Sequence, residues 1–341
     1  MRIARILVLL VVVALGWSLA VAGNPDKKGA AGAQELLIPV GSRAIAMGGA
    51  SGALVSGNEA IFWNPAGLAA TDAAAEATFS YLKWIFDTSI NYFAVSARMG
   101  NLGSFGLSGK VLDFGDIIET TEFETEGTGR IITPTVVTVG LTFSRQMTDR
   151  IFFGANAKVI SESFLRMRAS GIAFDFGVQY ISTPGVRLGL TLNNFGPMMK
   201  FVGEDLQRTV DLPHTEYGTE PMDLRLEAQK FELPSSFEIS LGYPYALSDE
   251  HALTLVGSYR NFNASVDQVQ AGLEYGFNKL LYLRGGYSAA VQAAEDYIFG
   301  FSLGAGLRYS LGGNTYVLFD YAYRDVKYTD ANQWFTMSVQ F

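Results

Sequence analysis

From residue 75 to the C-terminus the chain alternates between apolar and polar residues, and this period of two restricts its fold more than any other feature. Phe93, Val95, Ala97 and Met99 share one side while Tyr92, Ser96 and Arg98 share the other. Val137, Val139, Leu141 and Phe143 alternate in the same way with Thr138, Gly140, Thr142 and Ser144. Residues two apart in a strand face the same side, so each segment reads as a strand with one oily face. Fourteen such segments follow one another, at 75–83, 90–99, 104–112, 135–144, 151–163, 170–181, 187–193, 235–245, 251–260, 267–275, 280–288, 298–309, 315–324 and 333–341. Several have the 9–12 residues of a tilted strand crossing a bilayer.

A soluble sandwich alternates too, so the connections have to separate the two. Every even-to-odd join is short, with turn formers such as Thr183-Pro184-Gly185 and Gly312-Gly313-Asn314. Both long joins, 113–134 and 194–234, are odd-to-even. Short turns at one end and long loops at the other is the arrangement of an outer-membrane barrel. Composition agrees: 49% hydrophobic residues, with 24 phenylalanines, 16 tyrosines and 37 glycines, need somewhere to go. No segment after the leader reaches 18 apolar residues without a polar break, which excludes helical spans and leaves the closed barrel. The expected fold class is all-β, a 14-stranded antiparallel transmembrane β-barrel with a small N-terminal plug or hatch inside the lumen. Tyr180, Tyr243, Tyr259, Tyr275, Tyr287, Tyr309, Tyr321 and Tyr323 on the apolar side read as an aromatic girdle.

Ahead of the wall, Arg2 and Arg5 precede the apolar run 6–15 and the small-residue site Ala20-Val21-Ala22, which predicts a signal peptide over 1–22. Residues 23–73 form a lead and plug, and 74–341 the barrel. A short helix is expected just before Asn64-Pro65, since proline ends it, and Asn64 is expected to close a local turn through its side chain. Within the glycine-rich stretch 41–68 the candidate plug residues are Arg43, Gly48, Gly49, Glu59, Phe62, Trp63, Asn64, Pro65 and Gly67. Arg43 and Glu59, the only charges there, are expected to anchor the plug to charges of the lumen. Lys110, Lys158, Asp175, Glu238, Glu274, Arg284, Arg308, Asp320 and Arg324 fall on the inward face, where opposite charges are expected to pair. Phe195, Met198, Met199 and Phe201 open the longer loop as a candidate partner or lid contact. The last strand ends on Phe341, which resembles the terminal aromatic that serves as the sorting signal of bacterial outer-membrane barrels.

Catalysis finds little support, a lipase-like or protease-like barrel being the minor alternative. There is no cysteine, so no disulfide framework or lipid anchor is expected, and His214 and His251 lack ligand spacing. No enzyme activity, cofactor or metal is expected. A net charge of −8 argues against nucleic acid as a partner.

The stretch GSRAIAMGGASGALVSGNEAIFWNPAGLA at 41–69 closely resembles the N-terminal signature of the PorV/PorQ family, within the superfamily of the FadL long-chain fatty-acid transporter. The shared element is the small-residue run before an aromatic, followed by Asn64-Pro65-Ala66-Gly67. The short turns are expected to be periplasmic, and the even strand count returns the C-terminus to the side of the plug, so both termini are expected there. The resemblance implies an outer-membrane location, contact with outer-membrane lipid, and barrel-assembly machinery as a partner during biogenesis. PorV-like membership would make the chain a type IX secretion component that binds or shuttles secreted proteins at the cell surface. FadL-like membership would make it a channel for fatty acids or other hydrophobic compounds past an N-terminal hatch. A structural barrel anchoring an envelope complex is the third reading.

Overall fold

The computed structural model describes residues 29–86, 88–183, 185–210, 222–292, 295 and 297–341; the expected signal peptide falls outside them. Fourteen long antiparallel strands make the wall. They are β1 (Ala75–Lys83), β2 (Ser89–Arg98), β3 (Ser104–Asp113), β4 (Thr135–Thr148), β5 (Ile151–Phe164), β6 (Met167–Ile181) and β7 (Arg187–Phe195), then β8 (Ser236–Ala246), β9 (His251–Phe262), β10 (Gln268–Phe277), β11 (Leu281–Ala290), β12 (Phe299–Gly312), β13 (Thr315–Val326) and β14 (Asn332–Gln340). Each pairs with its neighbours in sequence, and β1 pairs with β14 from Glu76↔Gln340 to Lys83↔Gln333. That last ladder closes the sheet and leaves no open edge, which is what a wall in hydrocarbon requires.

The periodicity places the faces as expected. Phe79, Phe93, Leu107, Leu141, Ile172, Leu283, Leu303, Phe319 and Phe335 are exposed on the outside, while Thr78, Ser80, Ser108, Thr142 and Ser240 are buried within. No helix among the described residues is long and apolar enough to cross a membrane. Phe341 is half exposed, and its backbone joins the start of the wall: its carbonyl accepts from Ala74 at 2.7 Å.

The two long loops hold more order than their sequence suggests. Ile117–Ile118 pairs with Ile131–Ile132, and Gln207–Val210 with Met222–Arg225. Phe201–Gly203 pairs with Met167–Ala169 of β6. It takes the place of β7, whose ladder with β6 shifts register between Phe174 and Phe176 and ends at Phe174↔Phe195. The wall therefore changes partner at this seam.

The N-terminal segment packs against the inward face of the wall. A 3-10 turn at Gln34–Leu37 precedes Pro39, then come α1 (Ser42–Ala46) and α2 (Ala60–Trp63), the latter stopped at Asn64-Pro65. Proline lacks the donor that would continue α2, and Pro65 instead opens a 3-10 turn through Ala69. The Asn64 side chain closes that turn by accepting from Ala66 N at 3.2 Å. It also donates to Gly52 O and Val178 O, tying two parts of the segment to β6. Asn64→Ala is expected to destabilise the chain by about 1–2 kcal/mol, the usual cost of a lost cap, in a urea titration of the folded barrel.

Candidate functional site: the occupied lumen

The lumen has three levels. At the short-turn end lies a polar cavity of about 340 Å³, lined by Arg43, Glu59 and Thr71–Ala73 of the segment and by Glu76, Arg284, Arg308 and Asp320 of the wall. Above it the segment fills the bore. Higher still, one hydrogen-bonded row of inward side chains is wholly apolar: Ala322, Trp334, Leu82, Ile90, Leu112 and Val136 are successive cross-strand partners on β13, β14, β1, β2, β3 and β4. All six are buried. Ile38, Ile45, Phe62 and Trp63 of the segment pack on this row. Barrel interiors are ordinarily polar, so a continuous apolar row facing inward is the feature of this lumen that most asks for a reason.

Small residues let the segment lie on the wall. An added Cβ at Gly48, which has φ +71°, would meet Tyr287 N at 2.8 Å and Ala271 O at 2.9 Å. Across the contact, Gly286 and Gly272 face the Met47–Gly48 backbone, and Gly154 and Gly177 face Pro65 and Asn64. Gly49 faces Gln270, and Gly67 touches the Val55 carbonyl within the segment. Trp63 Nε1 donates to Val40 O at 2.9 Å, and Trp334 Nε1 to Pro39 O at 3.1 Å.

Arg43 binds Glu274 through two hydrogen bonds, Nε at 2.9 Å and Nη2 at 2.8 Å. Glu274 also accepts from Arg284 Nε at 2.6 Å, and Arg284 reaches on to Asp320. Glu59 makes no ion pair with a wall cation among the described residues. Its carboxylate turns back and accepts from Ala44 N at 2.9 Å, because Gly41 leaves room for it beside α1. Burial raises its pKa from 4.5 to about 7, against the opposing pull of that backbone bond and of Arg43. Arg284 and Asp320 also face it, lowering and raising it respectively. A carboxyl that binds its proton more tightly when folded adds stability that is complete below pH 4.5 and is lost as pH rises through about 7. Segment protection from protease is therefore expected to fall over that window, and Glu59→Gln to flatten the profile.

Expected pairing holds for part of the wall. Lys158 pairs with Asp175 at 2.7 Å, and Glu238 pairs with Arg260, which also stacks 5.2 Å from Trp63. Lys110 instead donates to the carbonyls of Glu35 (2.6 Å) and Ile38 (3.1 Å), with its Nζ 5.3 Å from the Phe62 ring. Arg308 stacks on Tyr316 at 4.2 Å, and Arg324 lies among Trp84, Phe299 and Trp334. Neither of those two arginines has a carboxylate partner among the described residues, which corrects the expectation of pairing for both. The apolar start of the long loop divides. Phe195 and Met198 are exposed, while Met199 is buried with Leu36, Ile160, Ala169 and Leu233, and Phe201 packs beside them. Sequence reasoning missed Glu76 and Arg260, both of which sit on inward positions of their strands. Asn58 was missed too; its side chain donates to Glu76 O, Thr78 Oγ1 and Ala94 O.

No protein-family model matches the chain, and no curated protein sequence does. Solved structures do match. The toluene transporter TodX of Pseudomonas putida superposes with a TM-score of 0.60 at 15% identity, over 89% of this chain and 99% of that one. The CymD monoaromatic hydrocarbon channel gives 0.55 at 16% identity, over 89% and 98%. A Pseudomonas aeruginosa FadL homologue gives 0.55 at 13% identity, again over 89% and 98%. The chain thus has the closed 14-stranded fold of FadL-like outer-membrane channels.

Proposed function

We propose that this chain is an outer-membrane channel for hydrophobic compounds, with the N-terminal segment as its hatch and the long loops outside. The inward apolar row from Ala322 to Val136 carries the reading. The row seats the segment through Ile38, Ile45, Phe62 and Trp63, and it also offers an oily cargo a low-energy surface that a water-filled pore would lack. The seam between β6 and β7 supports the same reading, because a channel that discharges into the membrane needs a weak place in its wall. The likeness to proteins described as toluene and monoaromatic hydrocarbon channels favours this over the secretion shuttle that the sequence resemblance put first. Cargo would displace Phe62 and Trp63 from the row and shift the segment against the wall, breaking its contact between Ser42 and Thr336.

The test is uptake of radiolabelled toluene and of a polar solute such as arabinose by proteoliposomes containing the purified chain. Hydrocarbon uptake well above protein-free vesicles, with arabinose excluded, is the expected result. Absence of any hydrocarbon uptake, together with secreted proteins that co-purify through the long loops, would overturn the channel in favour of the shuttle.

A further inference from the structure

One inward position beyond the apolar row, toward the long-loop end, Ser302, Arg324 and Asn332 form the next cross-strand row on β12, β13 and β14. Ser302 and Asn332 are fully buried and Arg324 is 8% exposed. Their polar atoms are nevertheless unpartnered among the described residues: Ser302 Oγ, Arg324 Nε and Nη2, and both Nδ2 and Oδ1 of Asn332 make no hydrogen bond there. Leaving such groups buried and unmet is costly, and native proteins rarely collect five of them in one row. The surroundings are built rather than loose. The Arg324 guanidinium lies 3.8 Å from the Phe299 ring centre, 4.9 Å from Trp334 and 5.3 Å from Trp84. A register shift between Phe299 and Ser302 on β12 adjoins the Ser302↔Arg324 pair, the kind of bulge that re-aims side chains beside a site.

The donor and acceptor inventory says what is missing. Nε and Nη2 of one arginine form the side-on fork that a carboxylate meets with two parallel bonds. Asn332 Nδ2 and the Ser302 hydroxyl add donors, and Asn332 Oδ1 alone requires a donor from outside. We infer that this row is the head-group site for an amphiphile whose carboxylate carries a hydroxyl or amide N–H on the adjoining carbon, with its tail along the apolar row below. The inference rests on the channel reading, and it narrows the cargo from hydrocarbons in general to a substituted carboxylic acid. Aromatic walls around the guanidinium exclude water and strengthen both bonds.

The experiment uses the purified chain in lipid nanodiscs, with Trp84 and Trp334 as the fluorescent reporters. It is titrated with 2-hydroxydecanoate, decanoate and the uncharged decane-1,2-diol. The hydroxy acid is expected to bind saturably, about tenfold tighter than either comparison probe. Arg324→Gln should remove the preference for acid over diol. Asn332→Leu should keep that preference and lose the one for 2-hydroxydecanoate over decanoate. Asn332→Asp supplies Arg324 with an internal carboxylate, and should abolish acid binding while leaving the barrel at least as resistant to heat, which separates loss of the site from loss of the fold. Equal binding of acid and diol by the wild-type chain, or unchanged acid binding in Arg324→Gln, overturns the site. If toluene still enters proteoliposomes in that case, the head-group inference fails alone; if it does not, the channel reading fails with it.

Discussion

Gly286→Val is expected to eject the N-terminal segment from a barrel that otherwise assembles. Gly286 sits on β11 with its Cα against the Met47–Gly48 backbone, so a side chain there meets main chain rather than a flexible group that could turn away. Ordinary overpacking costs about 1–3 kcal/mol because neighbours adjust; here the neighbour is fixed on its other side by the Arg43–Glu274 contact and by Ser42 on Thr336. An inward valine is an ordinary residue for the strand itself, and β11 keeps its ladder. Limited proteolysis should cut residues 30–70 at least tenfold faster than in the wild type, while the heat-stable folded band of the barrel persists on a gel. Loss of both together would mean that the segment is part of the folding core rather than a separable occupant.

Glu274→Gln should be nearly as severe by a different route. One carboxylate serves two guanidinium groups, Arg43 from the segment and Arg284 from the wall. An amide in its place can accept at one atom only and turns its NH2 toward the second cation. Arg284 keeps Asp320, but Arg43 is left charged and without its partner. Removing one member of a buried pair commonly costs about 3–5 kcal/mol, most of it the stranded charge. The figure should shrink toward its lower end because Arg43 retains contact with the polar cavity. Arg43→Met on the Glu274→Gln background should recover part of the loss, since it removes the charge that was stranded. Unfolding in urea measures all three, and an additive double mutant would refute the coupling.

The wall was legible because each strand repeats one instruction, apolar out and polar in, over nine or more residues. Strand ends were less so: β4 runs to Thr148 and β12 to Gly312, past the point where Arg145 or Ser310 marks the end of the oily face. Hairpin arms go on pairing in water, where no alternation is required. Asn64-Pro65 showed its turn because both causes are local. Partners were not local. Arg43 was expected to find a wall carboxylate and does, whereas Glu59 sixteen residues on was assigned the same role and binds Ala44 instead. Nothing in the spacing of two charges says which will face a strand and which its own helix. The apolar row was equally hidden, since Leu82, Ile90, Leu112, Val136, Ala322 and Trp334 are scattered over the chain, and only the register of five ladders brings them level.

Movement of the segment is the central claim, and the absence of native cysteine makes it directly measurable. Ser42 Oγ and Thr336 Oγ1 lie 2.7 Å apart across the segment–wall contact, close enough for the double substitution Ser42→Cys with Thr336→Cys to form a disulfide. In proteoliposomes, oxidation of that pair should cut toluene uptake at least tenfold, and a reductant should restore it. Uptake that is the same in the oxidised and reduced states would contradict the account, because cargo would then be passing without the hatch having moved.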